Sequence, residues 1–174
     1  MGGLDEEFFA HMEEIDLCWR LKSRDRRIVC IPQSVVYHIG GGTLEAEHPH
    51  KTYLNFRNNL LMLYKNLPHK SLKRIFDFRF YFDNLAAFHL ILQGKFNNAV
   101  SVSNARTDFR KMTEQFTEKR NENILKSVNT VSKEIFQESI IKEFYLKRHK
   151  KFSDIFPKMP VMTTDVKKEI KKDE

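Results

Sequence analysis

Three carboxylate residues stand close together near the start of the sequence, at Glu13, Glu14 and Asp16. A carboxylate can take the proton of an alcohol as the alcohol oxygen attacks an electrophilic carbon, so each is a candidate general base. Acidic residues in the first turn of a helix are also favoured by the helix dipole, and on spacing alone that structural role is the more frequent one. The spacing therefore leaves catalysis and helix stabilisation both open.

His38 is a second residue that could do chemistry, because it follows a β-branched and aromatic run and precedes three glycines at 40–42. A histidine at a strand end beside a flexible loop can face a cleft and bind a metal ion. A lone histidine is nevertheless more often a hydrogen-bonded surface or core residue. His48 and His50 flank Pro49 without a third ligand nearby, and we interpret them as part of a loop.

The three carboxylates fall on a predicted amphipathic helix over residues 13–24, in which apolar residues recur at three- and four-residue spacing. Asp25 stands where helices often end in the left-handed conformation, which aspartate tolerates better than most residues. Residues 28–31 and 34–39 are short β-branched runs on either side of Pro32, and they predict two strands or one kinked strand.

Further helices are predicted after Pro49, with Pro68 and Gly94 separating the longer ones. The first of them has a predicted apolar face of Tyr53, Phe56, Leu60, Leu63 and Leu67 and a polar face of Arg57, Asn58 and Lys65. The others cover residues 71–93, 96–116 and 139–152. Residues 117–137 are weakly patterned.

The composition indicates a globular domain or part of one, because 41% of the 174 residues are apolar and 15 are Phe. Cys18 and Cys30, in a chain without a secretory signal, predict buried reduced thiols and a cytoplasmic location. Charged residues interrupt the apolar stretch 75–92, which therefore does not predict a membrane span. Residues 68–174 hold 22 Lys and Arg against 14 Asp and Glu, a bias that favours an anionic partner.

The most specific pattern is GGLDEEFFAHMEEIDLCWRL at residues 2–21, followed by IPQSVVYHIGGGTL at residues 31–44. It resembles the acceptor-side half of family 2 glycosyltransferases, particularly the rhamnosyltransferase-like members that build bacterial surface polysaccharides. That family shows a Gly-Phe/Leu-Asp-Glu-x-Phe-Phe entry, an acidic pair, Asp-Leu-Cys-x-Arg and later Val-x-His-x-Gly-Gly. The resemblance covers residues 2–67, and the rest is similar only to the helical extensions of such enzymes.

The resemblance implies that an acceptor hydroxyl attacks the anomeric carbon of a nucleotide sugar and inverts its configuration. Glu14 matches the family's general base, the second acid of the pair, although many relatives have Asp there. Asp16 is then expected to position the site, and Glu13 and Trp19 to contact the acceptor. Trp19 as a core residue is the alternative.

The resemblance also implies a donor site that uses a divalent metal, Mn²⁺ or Mg²⁺. His38 would join two acidic residues of the donor-binding half around that metal, which neutralises the departing diphosphate. Gly41 and Gly42 would let the loop close over the donor, while Arg57 and, as a weaker candidate, Lys51 would approach its phosphates. For Arg57 a solvated helix face is an equally weighted alternative.

The expected fold is α+β and mainly α: the C-terminal part of a GT-A type α/β glycosyltransferase domain, with a short β element followed by a helical extension. No Asp-x-Asp metal motif occurs in the sequence, so we expect the nucleotide-binding half to be missing and the chain to be inactive without it. The expected organisation is an acceptor-side part over 1–67, a helical extension over 68–155 and a disordered basic tail over 156–174.

The rival interpretation is a non-enzymatic basic helical module that binds a membrane surface or nucleic acid. Aromatic residues crowd the stretch 75–92, and basic clusters at 70–74 and 147–151 accompany it. Packing of these aromatics against the catalytic part is weighted above membrane contact. No recognised nucleic-acid-binding motif supports the possibility that the module binds nucleic acid. The expected partners are a nucleotide sugar, a saccharide or lipid-linked acceptor and the inner face of the cytoplasmic membrane.

Overall fold

The computed structural model describes residues 2–37, 47–128, 136 and 138–155, and these residues are helical with connecting turns. The chain forms two compact units, Met1–Ser132 and Lys133–Glu174. The first contains the short 3-10 helix Glu6–Phe8 and helices α1 (Glu13–Ser23), α2 (Pro49–Asn66), α3 (His69–Leu92) and α4 (Phe96–Lys126). The second contains the π-helical turn Lys142–Leu146 and helix α5 (Phe152–Ile155).

In the first unit α2 is the central helix, which packs along α4 and also contacts α1 and α3. Phe8, Leu61, Met62 and Phe116 form its buried apolar cluster, in which the rings of Phe8 and Phe116 stack with centroids 6.1 Å apart. The N-terminal segment, α2 and α4 therefore share one core.

Several helices begin and end close to the residues that the sequence predicted as their limits. The Nδ1 atom of His48 accepts a hydrogen bond from the backbone of His50 in the first turn of α2, and Gly94 between α3 and α4 has a φ of 75°. Asp25 has a φ of 57°, and Arg26 N donates to Leu21 O at 2.9 Å. The expectation of a left-handed residue after the first helix is confirmed.

The α+β prediction is wrong, because the described residues contain helices and no strand. Residues 28–31 and 34–37 lie exposed outside any helix, and Tyr37 retains 94% of its accessible surface. β-Branched residues favour a strand only where a neighbouring strand completes the ladder, and the described residues offer none. A short β element is therefore not part of the described fold.

Other differences follow from side-chain environments. Cys18 and Cys30 are exposed, so the prediction of buried thiols is wrong. Helix α4 continues to Lys126, ten residues beyond its predicted end. None of the described helices combines the length and apolarity needed to cross a membrane. The predicted domain limits stay predictions, and the predicted tail, 156–174, lies outside the described residues.

Candidate functional site

The turn that leads into the acidic residues has an unusual backbone. Phe9, His11 and Met12 have φ angles of 62°, 70° and 76°. These are left-handed values that cost non-glycine residues about 1–2 kcal/mol each. Three such residues within four positions require other contacts to hold them, and Glu13 begins α1 directly afterwards.

Helix α2 supplies those contacts through Asn58, which is fully buried. Its side-chain Nδ2 lies 2.8 Å from Phe8 O, 2.7 Å from Ala10 O and 2.8 Å from His11 O. One amide group thus ties the carbonyl oxygens of the turn to α2. A buried carbonyl without a donor would be costly, so Asn58 fixes the turn energetically as well as geometrically.

Arg57, a predicted donor-phosphate ligand, extends the same clamp. Its Nη2 donates to Glu7 O at 3.0 Å and Phe8 O at 3.3 Å, while its Nε donates to the Asn58 side-chain oxygen at 2.9 Å. Its guanidinium also lies 5.3 Å from the ring centroid of Tyr53. In this arrangement Arg57 holds the N-terminal segment onto α2.

The three acidic residues of α1 occupy different environments. Glu14 is exposed, Glu13 is partly buried and Asp16 is completely buried. The Oε2 atom of Glu13 is shielded from solvent and has no hydrogen-bond partner among the described residues. The turn therefore presents one open carboxylate and one partly shielded carboxylate, while Asp16 points inward.

Asp16 is the hub of a buried polar network. Its Oδ2 accepts hydrogen bonds from Arg20 Nε and Lys65 Nζ, both at 2.8 Å, and its Oδ1 accepts from Asn66 Nδ2 at 2.7 Å. Arg20 Nη2 also donates to Gly3 O at 2.6 Å. These bonds join α1 to α2 and to the start of the chain, so Asp16 positions the helix that carries Glu13 and Glu14.

Asp5 continues this network toward α4. Its Oδ2 lies 2.6 Å from Lys65 Nζ and its Oδ1 lies 2.7 Å from Lys119 Nζ. Burial by itself would raise the pKa of Asp5, but hydrogen bonds from Lys119 and Lys65 outweigh it and lower the pKa below its ordinary value. A chain of alternating charges therefore crosses the unit, from Arg20 through Asp16, Lys65 and Asp5 to Lys119.

A pocket of about 380 Å³ opens beside this network. Gly2, Gly3, Asp5, Arg20, Lys65 and Lys119 are among the residues that line it. Glu13 and Glu14 are not among them, so the structure does not place the predicted base in this pocket. Arg20, Lys65 and Lys119, which line the pocket, bond to Asp5, Asp16 or a backbone oxygen, and Arg24 donates to the side-chain oxygen of Asn123. These bonds give the four cations a structural role.

The remaining predicted site residues are not brought together in the described part. Lys51 is partly buried in the first turn of α2, and His38, Gly41 and Gly42 lie outside the described residues. The described residues contain no group of three side chains able to ligate a metal. The predicted metal ligand His38 is not among them, and we derive no step through a metal.

Trp19 packs partly buried against the cluster of Phe8, Leu61, Met62 and Phe116, in the environment of a core residue. The sequence pattern missed the role of Asn58 and Lys65, which were predicted on a polar face and are buried. Their burial could have been recognised from their spacing, because positions 54, 58, 61 and 65 share one helix face and alternate between Leu and a polar residue. A polar residue on a buried stripe requires partners.

No model of a known protein family, no curated protein and no solved structure matches this chain.

Proposed function

We propose that this chain is the acceptor-side segment of an inverting glycosyltransferase, which transfers a sugar from a nucleotide-sugar donor to a saccharide or lipid-linked acceptor. A donor-binding half is required for activity, because the sequence lacks the Asp-x-Asp motif with which that family binds its metal and diphosphate. Nucleotide sugars and lipid-linked acceptors meet at the inner face of the cytoplasmic membrane, which is the location we propose.

The observation that carries this proposal is the strained turn immediately before the acidic pair. Left-handed non-glycine residues persist only where the surroundings enforce them, and they cluster at functional sites. Here Asn58 enforces the conformation of His11, two residues before Glu13. The resemblance of residues 2–67 to the family places its general base at the same point.

In this proposal Glu14 is the base, because it is exposed and can reach an incoming alcohol. The acceptor O–H proton passes to the carboxylate while the acceptor oxygen bonds to the anomeric carbon. The bond from that carbon to the phosphate oxygen breaks, and a nucleoside diphosphate leaves. Glu13, which is partly buried, would contact the acceptor beside Glu14.

The exposed run 28–37 is where we propose that the donor-binding half attaches. Ile28, Val29, Ile31, Val35 and Val36 expose between 42% and 84% of their surfaces. Apolar side chains exposed to this extent are typical of a surface that a partner covers.

The test is a fusion of this chain to the donor-binding half of a family 2 glycosyltransferase. Release of nucleoside diphosphate from a panel of nucleotide sugars is measured with and without saccharide acceptors. Glu14→Gln should lower acceptor-dependent release by at least about 100-fold, the usual contribution of a general base. Glu114→Gln, the same change at an exposed position of α4, is the matched control. Full activity in the Glu14 variant would contradict the proposal.

A further inference from the structure

Helix α3 is apolar on two sides, and only one of them is covered. On the covered side the ring of Phe76 stacks on Phe109 of α4 with centroids 5.3 Å apart. The guanidinium of Arg106 lies 4.6 Å from the centroid of Phe80. These contacts attach α3 to α4 and leave the opposite side of α3 outside the core.

The opposite side carries a stripe that we name the outer aromatic face. It consists of Phe78, Tyr81, Phe82, Leu85, Phe88 and Leu92, whose exposed fractions run from 39% to 71%. Their spacing of three and four residues places them on one side of the helix, where His89 is a polar neighbour. The exposed apolar area is on the order of several hundred Å², which marks an interaction surface rather than scattered surface residues.

The charges on α3 are distributed unequally around this face. Both acidic residues of the helix are paired: Asp77 lies 2.8 Å from Lys73, and Asp83 lies 2.8 Å from Arg79 and 3.0 Å from Arg106. Asp83 is buried on the side that faces α4. Asp77 is exposed at the edge of the outer aromatic face, three residues after Arg74 and four before Tyr81, and its pairing with Lys73 offsets its charge.

Two cations continue the stripe at its N-terminal end. Lys70 and Arg74 are exposed, and with Phe78 they form an unbroken i, i+4 series on one side of the helix. Among the described residues neither has an ion-pair partner in the structure. The surface thus combines aromatic rings, aliphatic side chains and positive charge.

We propose that the outer aromatic face binds the surface of an anionic lipid bilayer. Aromatic and leucine side chains enter the boundary between headgroups and acyl chains, while Lys70 and Arg74 meet lipid phosphates. A second copy of this chain fits less well, because it would bring the same excess of Lys70, Lys73 and Arg74 over Asp77 to the contact. This surface goes beyond the proposed glycosyl transfer and does not depend on it.

The test is flotation of the full chain with vesicles of phosphatidylcholine alone and of phosphatidylcholine with phosphatidylglycerol. Wild-type protein should float with the anionic vesicles and lose binding as salt is raised. Phe78→Ser with Leu85→Ser should reduce partitioning by about tenfold or more. Leu125→Ser with Tyr145→Ser removes apolar side chains elsewhere that are even more exposed, and this variant should bind as wild type.

A charge variant keeps the test independent of the apolar substitutions. Lys70→Gln with Arg74→Gln should lower binding to anionic vesicles on the order of tenfold and leave binding to neutral vesicles unchanged. Arg110→Gln with Lys111→Gln on α4 is its control. Failure of wild-type protein to float, or equal loss in the control variants, would overturn the proposal. So would sedimentation of wild type as a dimer that the Phe78 and Leu85 variant dissociates, because a second copy would then cover the face.

Discussion

Lys65 Nζ donates a 2.8 Å hydrogen bond to Asp16 Oδ2, and both side chains are almost completely buried. The pair joins α2 to α1, the helix whose first turn carries the site residues Glu13 and Glu14. Removing one partner of a buried charge pair strongly destabilises a protein, because the other charge is then left buried without compensation. The position of α1 therefore depends on Asp16.

Asp16→Asn should destabilise the fold by about 3 kcal/mol, because Arg20 and Lys65 would keep their buried charges without this carboxylate. Urea unfolding followed by far-UV circular dichroism measures the free energy of unfolding. Asp77→Asn, which breaks an exposed pair with Lys73, is the matched control and should have a much smaller effect. Equal losses in the two variants would show that Asp16 is not the hub.

Asp5 gives the network a defined dependence on pH. Its pKa is lower in the folded chain than the ordinary value of 3.8, so the folded state favours the ionised carboxylate. This stabilisation is fully present above the unfolded pKa and is lost as pH falls through the folded pKa.

Asp5→Asn should therefore be less stable than wild type at neutral pH, with the difference shrinking only below about pH 3.8. Unfolding free energies measured by urea titration between pH 7 and pH 3 give the two curves. A difference that stays constant down to pH 3 would mean that Lys65 and Lys119 do not favour the charged form of Asp5.

Helices α1, α2 and α3 could be predicted because their boundaries depend on local chemistry, whereas the helix predicted over 139–152 is wrong: that stretch holds only the π-helical turn Lys142–Leu146 and the start of α5. Pro68 and Gly94 lie between helices because proline and glycine are disfavoured in helix interiors. The apolar spacing of residues 13–24 is likewise a local property of that segment. The run at 28–37 was misassigned because a strand needs a second strand, which the described residues do not supply. The last turns of α4 were missed because Arg120 and Asn123 are polar yet buried.

Asn58→Ala should cost about 2 kcal/mol, because it removes the donor shared by the carbonyl oxygens of Phe8, Ala10 and His11. The turn should also open, and limited proteolysis within residues 9–12 should become faster. Asn59→Ala is the adjacent control, since the Asn59 amide makes only a 3.8 Å contact with the sulfur of Met12. Unchanged protection of the turn in the Asn58 variant would contradict the clamp.

The site was only partly predictable. The sequence pattern identified the acidic pair, and the resemblance supplied the role of Glu14. The sequence pattern could not show that Arg57 bonds to backbone carbonyl oxygens, because Glu7 and Phe8 are some fifty residues away in the sequence. Long-range pairs such as Lys119 with Asp5 depend on how the helices pack, which local patterns do not specify.

The most direct measurement compares Glu14→Gln with Glu13→Gln in the fused enzyme, under single-turnover conditions with a saccharide acceptor. Both substitutions keep the shape of the side chain and remove one carboxylate, so they differ only in position. We predict that Glu14→Gln slows sugar transfer by at least about 100-fold, while Glu13→Gln mainly weakens acceptor binding. Equal transfer rates for wild type and the Glu14 variant, or loss of the chemical step in the Glu13 variant alone, would contradict the assignment of Glu14 as the base.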